Sequence, residues 1–459
     1  MQNRETICAL STPAGVGGIA VIRISGPETL EICNGLLFSR IGERVAERLR
    51  PNSVRFCNFG FGNEFVDEVV ATYFEAPHSY TGEDVLEISC HGSVYVQKKI
   101  LETVIARGAR LAEPGEFTMR AFLSGKLDLS QAEAVADLID SKSEMAHRLA
   151  VNQLRGGFSK RLSELRQKFV DISALLELEL DFSDEDVEFA DRNALIDTLQ
   201  YIENEIDVLL KSFKSGNALK NGVPVAIIGK PNVGKSTLLN ALLDEDRAIV
   251  SDTPGTTRDT IEDTAVFDGI TFRFIDTAGI RNSCDEIENF GIERTFKAVE
   301  KAQIVLYMVD AANGDTDGTV REIEDFRKNE ILADKTFFAV ANKTDISTAE
   351  NLSPEGVELL RISAKNKDGI HLIVDRLTSL FKEGLDNDGT MLTNLRHYEA
   401  MSKLKESVLC IRNGLNQGIA GDLVMVDIRQ ALYYIGLITG EVSTDEILGT
   451  IFGRFCIGK

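Results

Sequence analysis

Apolar and polar residues alternate along Ile19-Ala20-Val21-Ile22-Arg23-Ile24 and again along Val85-Leu86-Glu87-Ile88. A period of two sends every second side chain to one face, so both runs predict half-buried strands. Gly15, Gly17, Gly18, Gly26 and Pro27 punctuate them, and residues 1–121 read as mixed α/β with many turns. From about Leu127 to Gly216 the period changes. Leu154, Phe158, Leu162, Leu165, Phe169, Ile172 and Leu176 recur at steps of three or four, which predicts one apolar face of a helix in a bundle. The acidic run Asp181 to Glu188 is expected to be a solvated turn. Met401, Leu404, Val408, Ile411 and Leu415 mark a second helical face within residues 384–459. Each helical block needs a partner for its stripe. The two are therefore expected to pack as one domain, with the intervening residues 219–383 inserted between them.

That insert has a different texture. Short apolar runs, Val225–Ile228, Phe272–Ile275, Thr336–Val340 and Leu360–Ile362, read as buried strands, and Thr237–Leu243 reads as a helix. Chemistry gathers at the ends of these runs. Gly229-Lys230-Pro231-Asn232-Val233-Gly234-Lys235-Ser236-Thr237 fits the P-loop pattern in its strand–loop–helix setting. Glycines let backbone N–H groups curl around phosphate oxygens, and the helix N-terminus adds its dipole. Lys235 is expected at the β- and γ-phosphates, and the Ser236 hydroxyl on Mg²⁺.

Asp276-Thr277-Ala278-Gly279 follows the second strand. Its carboxylate would hold the Mg²⁺ shell through water, and Gly279 N–H would meet the γ-phosphate. Asn342-Lys343-Thr344-Asp345 follows the third. The Asp345 carboxylate would accept from guanine N1–H and the 2-amino group. Adenine lacks both donors and would leave the carboxylate unpaired. Lys343 would lie along the base plane, and Ser363-Ala364-Lys365 would give backbone N–H to guanine O6. The loop Ser251-Asp252-Thr253-Pro254-Gly255-Thr256-Thr257-Arg258-Asp259 lies between P-loop and DxxG. It is expected to order around γ-phosphate and Mg²⁺, with Thr257 as second protein ligand of the metal.

Ras-like GTPases place a Gln directly after DxxG to orient the attacking water; here that position is Ile280. Two substitutes are visible. Glu288 is a carboxylate shortly downstream that would act through a bridging water, or is a plain solvent-exposed acid. Asn232 has a side-chain carbonyl near the phosphates that would help hold a monovalent cation where an arginine finger places its charge.

Charge and composition narrow the partners. Lys plus Arg is 50 against 72 Asp plus Glu, a net charge of −22 over 459 residues. That balance disfavours tight, unassisted binding to nucleic acid or anionic lipid. The seven cysteines are scattered and odd in number, without the spacing of a disulfide framework or zinc site, which fits a reducing cytosol. No secretory signal is read at the start and no stretch is apolar enough to span a bilayer.

The chain resembles the tRNA-modification GTPase family MnmE, also called TrmE, over nearly its whole length. GKPNVGKST, DTPGTTRD, DTAG, NKTD and SAK all match. So do segments that generic GTPases lack: STPAGVGGIAVIRISG, SYTGEDVLEISCHG, EPGEFTMRAFLSGKLDLSQAEAVADLI and the terminal IFGRFCIGK. The resemblance implies an N-terminal α+β folate-binding and dimerisation domain (1–121) and a helical domain in two parts (122–218 and 384–459). A Ras-like P-loop G domain (219–383) would be inserted between those parts. It implies a homodimer whose G domains meet when K⁺ and GTP are bound, with K⁺ held by Asn232, Ser251, Thr253 and Thr256. Ser251 stands where Thr is common, which a backbone ligand tolerates. Glu288 becomes the catalytic carboxylate and Arg258 an essential loop residue.

The family works with the flavoprotein MnmG, a heterotetramer being implied, to place an aminomethyl-type group on C5 of the wobble uridine of certain tRNAs. The one-carbon unit comes from 5-formyltetrahydrofolate or a related tetrahydrofolate. Folate contacts carry over to Arg23, Glu87, Lys126 and Lys459, and Cys456 to a role in the chemistry or to a small buried side chain. The residues alone read Arg23 and Lys126 as surface charges and Glu87 as a strand residue facing solvent. The resemblance implies a cytoplasmic enzyme without a membrane role. The competing reading is a GTP-dependent binding switch in ribosome or ribonucleoprotein assembly. Nucleoside analysis of tRNA from a deletion strain separates the two.

Overall fold

The computed structural model describes residues 5–62, 64–181, 192–245, 262–275, 288–347, 350–382 and 390–459, with backbone alone for 180–181, 288–294 and 382. The chain divides into two compact units, Met1–Ile139 with Gln153–Leu199 and Lys403–Lys459, and Asp140–Asn152 with Gln200–Ser402.

In the first unit, strands β1 (Ile7–Leu10), β2 (Ile19–Ser25), β3 (Leu37–Phe38), β4 (Ser53–Phe61), β5 (Glu64–Phe74), β6 (Val85–His91) and β7 (Arg110–Leu111) form one sheet. Its order is β3-β4-β5-β6-β2-β1-β7, antiparallel throughout except for the parallel pair β1–β7. The alternation in β2 does what a period of two requires. Ala20, Ile22 and Ile24 enter a core with Cys57, Phe59, Ala71, Leu86 and Ile88, capped by Ile100 and Val104 of the helix Val94–Ala106. Arg23, on the other face, lies in register with Glu87. Ile19, Val54 and Phe56 remain 70%, 69% and 47% exposed.

The helix Gly157–Asp181 buries Phe158, Leu162, Leu165, Phe169, Ile172 and Leu176, each contributing ~2 kcal/mol of apolar burial. Leu154 does not share that helix. It ends the preceding helix Glu144–Leu154, and Gly156, at φ 82°, breaks the stripe because a left-handed residue cannot continue a right-handed helix. The helix Gly421–Thr439 packs along Gly157–Asp181, with Ser173 Oγ donating to Met425 Sδ at 3.5 Å and Arg166 pairing with Glu441 at 3.0 Å. In the second block Met401, Leu404, Val408, Ile411 and Leu415 are buried along the helix Leu395–Asn416. The acidic run expected as a turn lies outside the described residues, apart from the Asp181 backbone.

The C-terminal helix Asp445–Phe452, capped by Thr444 Oγ1 accepting from Ile447 N–H at 3.3 Å, packs Leu448, Ile451 and Phe452 against Leu129 and Ala132. Beyond it Ile457 bridges to Pro114, and Ser11 Oγ donates to Gly458 O at 3.2 Å. The chain's end is therefore stitched to its beginning.

The second unit holds β8 (Val223–Gly229), β9 (Asp263–Phe267), β10 (Ile270–Ile275), β11 (Ile304–Asp310), β12 (Thr336–Asn342) and β13 (Leu359–Arg361), in the order β13-β12-β11-β8-β10-β9. All neighbours are parallel except the β9–β10 hairpin. Both faces carry helices, so β8, β11 and β12 read as unbroken apolar runs and are buried almost end to end. In such sheets ligands bind beyond the carboxyl ends of the strands, and the nucleotide motifs begin there.

Candidate functional site

The loop after β8 is shaped by backbone conformations that ordinary residues avoid. Gly229 has φ 145° and Gly234 φ 100°, and Asn232, which is not glycine, has φ 62°. A methyl on Gly229 would sit 2.3 Å from Met308 O, and one on Gly234 2.2 Å from Asn342 Nδ2. The helix Lys235–Leu243 starts at once, so its first free N–H groups line the loop. Lys235 Nζ donates to Gly229 O and Lys230 O, each at 2.8 Å, and burial pushes its pKa down. A half-buried ammonium at a helix N-terminus suits an anion, so this donor set fits a nucleotide triphosphate. Val233 is buried below the loop, and Ser236 and Thr237 fall in the first helical turn.

The base side is tied to the phosphate side by Asn342, 3% exposed at the end of β12. Its Nδ2 donates to Val233 O at 2.8 Å and its Oδ1 accepts from Ala364 N–H at 2.9 Å. Ser363 Oγ donates to Asp345 Oδ1 at 2.7 Å, fixing the carboxylate expected to read guanine. Lys343, at φ 70°, donates to Asp310 Oδ2 at 2.6 Å. Asn342, Lys343, Asp345, Ser363, Ala364 and the P-loop are thereby brought together, and Lys365 follows in the same turn. Two supports were missed in the sequence. Asp310 ends β11 in register with Asn342, and its position at a parallel strand's carboxyl end was the available signal. Glu322 takes Lys230 Nζ at 2.5 Å and the Tyr307 hydroxyl at 2.6 Å; nothing in its own stretch of sequence points to it.

Ser251, Asp252, Thr253, Pro254, Gly255, Thr256, Thr257 and Arg258 lie outside the described residues, as do Asp276, Thr277, Ala278, Gly279 and Ile280. Glu288 opens the helix Glu288–Lys301, its side chain outside the description.

In the first unit Arg23 is no ordinary surface charge. Its side chain is 16% exposed and pairs with Glu87 at 2.8 Å. The guanidinium sits 5.3 Å from the Tyr80 ring centre and 5.6 Å from that of Phe117, both within cation–π range. Glu87, likewise, faces a cation across the strand pair and is 27% exposed. Phe117 N–H donates to Lys459 O at 3.2 Å, which carries the terminal residue to the same place. Lys126 lies by Gly82, where an added methyl would be 3.7 Å from its Cε. Cys456 is exposed and its carbonyl accepts from Gly115 N–H at 3.4 Å. Paired charge, aromatic faces and nearby lysines fit a ligand with a planar ring and carboxylates, as a folate has. Tyr80 and Phe117 were not singled out in the sequence, although both stand in the quoted segments.

A family model described as the MnmE helical domain matches residues 129–456. A second, for the N-terminus of the GTP-binding protein TrmE, matches residues 6–126. The chain belongs to the MnmE family. It is 48% identical to the tRNA modification GTPase MnmE of Flavobacterium johnsoniae over 100% of both chains. It is also 48% identical to that of Parabacteroides distasonis, over 99% of this chain and 100% of the relative. A solved G domain of the T. maritima FeoB iron transporter is 22% identical, covers 34% of this chain and 97% of its own, and has a TM-score of 0.24, too low to bear on the fold. The fold itself matches the MnmE assignment, with an N-terminal α+β part, helices, and a P-loop α/β sheet that in sequence falls between the helical blocks. The TrmE match contains Arg23, Glu87 and Lys126, and the MnmE helical match reaches Cys456. Among the described residues no helix is long and apolar enough to cross a membrane.

Proposed function

We propose that this chain is a K⁺-stimulated GTPase, activated when its G domains meet in a homodimer, that works with an MnmG-type flavoprotein on the wobble uridine of certain tRNAs. That it is a GTP-hydrolysing enzyme of tRNA modification follows from its MnmE membership. The observation that carries the reading is Asn342, which binds Val233 O and Ala364 N–H and so joins a phosphate loop to a guanine-reading carboxylate.

In this reading Lys235 and the amides of residues 232–237 hold the triphosphate, and Asp345, Lys343 and the turn at Ser363–Lys365 hold guanine. Ser236 and Thr257 would ligate Mg²⁺, and Asp276 to Gly279 would border the γ-phosphate. Asn232, Ser251, Thr253 and Thr256 would ligate K⁺. K⁺ would supply positive charge where an arginine finger would place its own. Glu288 positions the attacking water, and Arg258 orders its loop. Dimerisation through the N-terminal domain is supported by the exposed Ile19, Val54 and Phe56 on the sheet face opposite the core. Arg23, Glu87, Lys126 and Lys459 would hold 5-formyltetrahydrofolate or a related tetrahydrofolate, with Cys456 beside it. We divide the chain into 1–121, 122–218, 219–383 and 384–459, and assign it to the cytoplasm. The net charge of −22 favours tRNA contact mainly through the complex.

The test is the hydrolysis rate of the full chain in potassium against sodium chloride. The expected ratio is about ten-fold or more in favour of potassium, abolished by Asn232→Ala. Equal rates overturn the cation reading while leaving guanine recognition intact. Unchanged wobble uridines in tRNA from a deletion strain would overturn the role in modification.

A further inference from the structure

The segment Ser79–Asp84 lies against Arg23 and is held by a buried charge network. Arg120, on the helix Glu116–Leu123, is 6% exposed and donates three hydrogen bonds through its two terminal nitrogens. One arm donates to Glu83 Oε2 at 2.9 Å. The other donates to Glu116 Oε1 at 2.8 Å and to Glu5 O at 2.9 Å. Arg110 adds a bidentate pair to Glu116 at 2.7 and 3.1 Å. Glu83 and Glu116 are thus each met by a guanidinium, and the partly exposed Arg110 also pairs with the exposed Glu5 at 2.9 Å.

Glu83 passes this hold to the segment. Its Oε2 also accepts from Ser25 Oγ at 2.8 Å, and Ser25 Oγ lies 2.8 Å from Thr81 Oγ1. Its carbonyl accepts from Ser79 Oγ at 2.5 Å. Tyr80 stands between these two points. Its hydroxyl is 2.9 Å from Thr118 Oγ1 on the Arg120 helix, and its ring lies over the Arg23 guanidinium. Phe117, the other ring against Arg23, is on that same helix. One ion pair therefore ties the segment that carries Tyr80 to the helix that carries Phe117.

We propose that the Arg120–Glu83 pair is a positioning device for tetrahydrofolate binding, acting through Tyr80 rather than touching the ligand. The proposal rests on the folate reading of Arg23, Glu87, Lys126 and Lys459. A guanidinium is needed because three acceptors on three segments must be met by one planar fork; a lysine ammonium cannot span them in that geometry. Tyr80 then keeps the Arg23 guanidinium in the plane in which Glu87 holds it.

The test is a double-mutant cycle on the full chain, read as 5-formyltetrahydrofolate affinity by equilibrium dialysis, at a temperature where circular dichroism shows every variant folded. Glu83→Gln keeps the size and one acceptor oxygen while removing the charge, so it is preferred to truncation. It is expected to weaken binding ~ten-fold, and Arg120→Lys about as much. Tyr80→Leu weakens binding too, and adding Glu83→Gln to it changes affinity by less than about two-fold, because the device has lost what it positions. A role confined to stability predicts additive losses in the cycle. Additive losses, or wild-type affinity in Glu83→Gln, overturn the proposal while wild-type binding keeps the folate reading. No binding by the wild-type chain overturns both.

Discussion

The Lys343 ammonium donates to the Asp310 carboxylate at 2.6 Å, from the strand next to its own. Both side chains are about one-third exposed, so the pair is worth less to stability than its length suggests. Its effect is on direction. Lys343 stands at φ 70°, and without a partner its long stem would sample many rotamers beside the base. Asp310→Asn is expected to weaken GDP and GTP by the same factor, roughly three- to ten-fold. On the proposed reading the contact concerns guanine and not the γ-phosphate, so the factor is common to both nucleotides. Titration with fluorescent guanine nucleotides measures it. A loss confined to GTP would mean that Asp310 acts on the phosphate end.

Gly234 marks the point where base and phosphate motifs touch. A methyl there would lie 2.2 Å from Asn342 Nδ2, the atom that donates to Val233 O. The left-handed φ of 100° adds backbone strain of about 1 kcal/mol. Gly234→Ala must therefore displace Asn342, and with it Ala364 N–H. Guanine nucleotide affinity is expected to fall by roughly two orders of magnitude, with a loss of ~2 kcal/mol in stability of the sheet unit. Isothermal titration and calorimetric melting give the two numbers. Retained affinity would show that the asparagine moves at no cost.

Local patterns made most of this legible. The P-loop, Asn342-Lys343-Thr344-Asp345 and Ser363-Ala364-Lys365 are contiguous runs placed at strand ends, so sequence order alone located them. The strands β2 and β6 and the stripe from Phe158 to Leu176 follow from period. Partners made by tertiary folding were not legible. Tyr80 and Phe117 reach Arg23 from segments far along the chain, and Asp310 meets Lys343 across a strand pair. The break after Leu154 was hidden because the apolar spacing continues through Gly156, and only the backbone conformation there interrupts it. The return of the chain's end to Pro114 depends on a bridge at Ile457 that no periodicity announces.

Burial separates the cysteines. It pushes Cys8, Cys57 and Cys90 up to about 11 and Cys33 to about 12, while Cys410 and Cys456 are exposed. At pH 8 the buried thiols are ionised in about one molecule in a thousand, and Cys33 in about one in ten thousand, and they are shielded as well. Ellman's reagent on native chain carrying Cys284→Ser is expected to label two thiols within minutes, and the other four only after denaturation. With 5-formyltetrahydrofolate in excess, labelling of Cys456 should slow several-fold and that of Cys410 should not. Equal rates with and without folate would place Cys456 away from the ligand.

Glu116 gives the N-terminal unit a specific acid response. Burial alone would raise its pKa, but hydrogen bonds from Arg110, the Glu113 amide and Arg120, with the Arg120 charge, hold it below the usual value. A carboxyl whose folded pKa lies below its unfolded one stabilises the fold fully above the unfolded pKa. That contribution is lost as pH falls through the folded value. Glu116→Gln leaves Arg110 and Arg120 short of an anionic partner and is expected to cost about 3–5 kcal/mol at pH 7, or roughly 10 °C in the transition of this unit. As the pH falls below the ordinary glutamate value of about 4, the unfolded chain takes up the proton first and the gap should narrow. Calorimetry of the full chain and the variant across pH 3–7 makes the comparison, the relevant transition being the one the substitution shifts. A gap that stays constant over that range would mean the loss comes from packing of the amide and not from the missing charge.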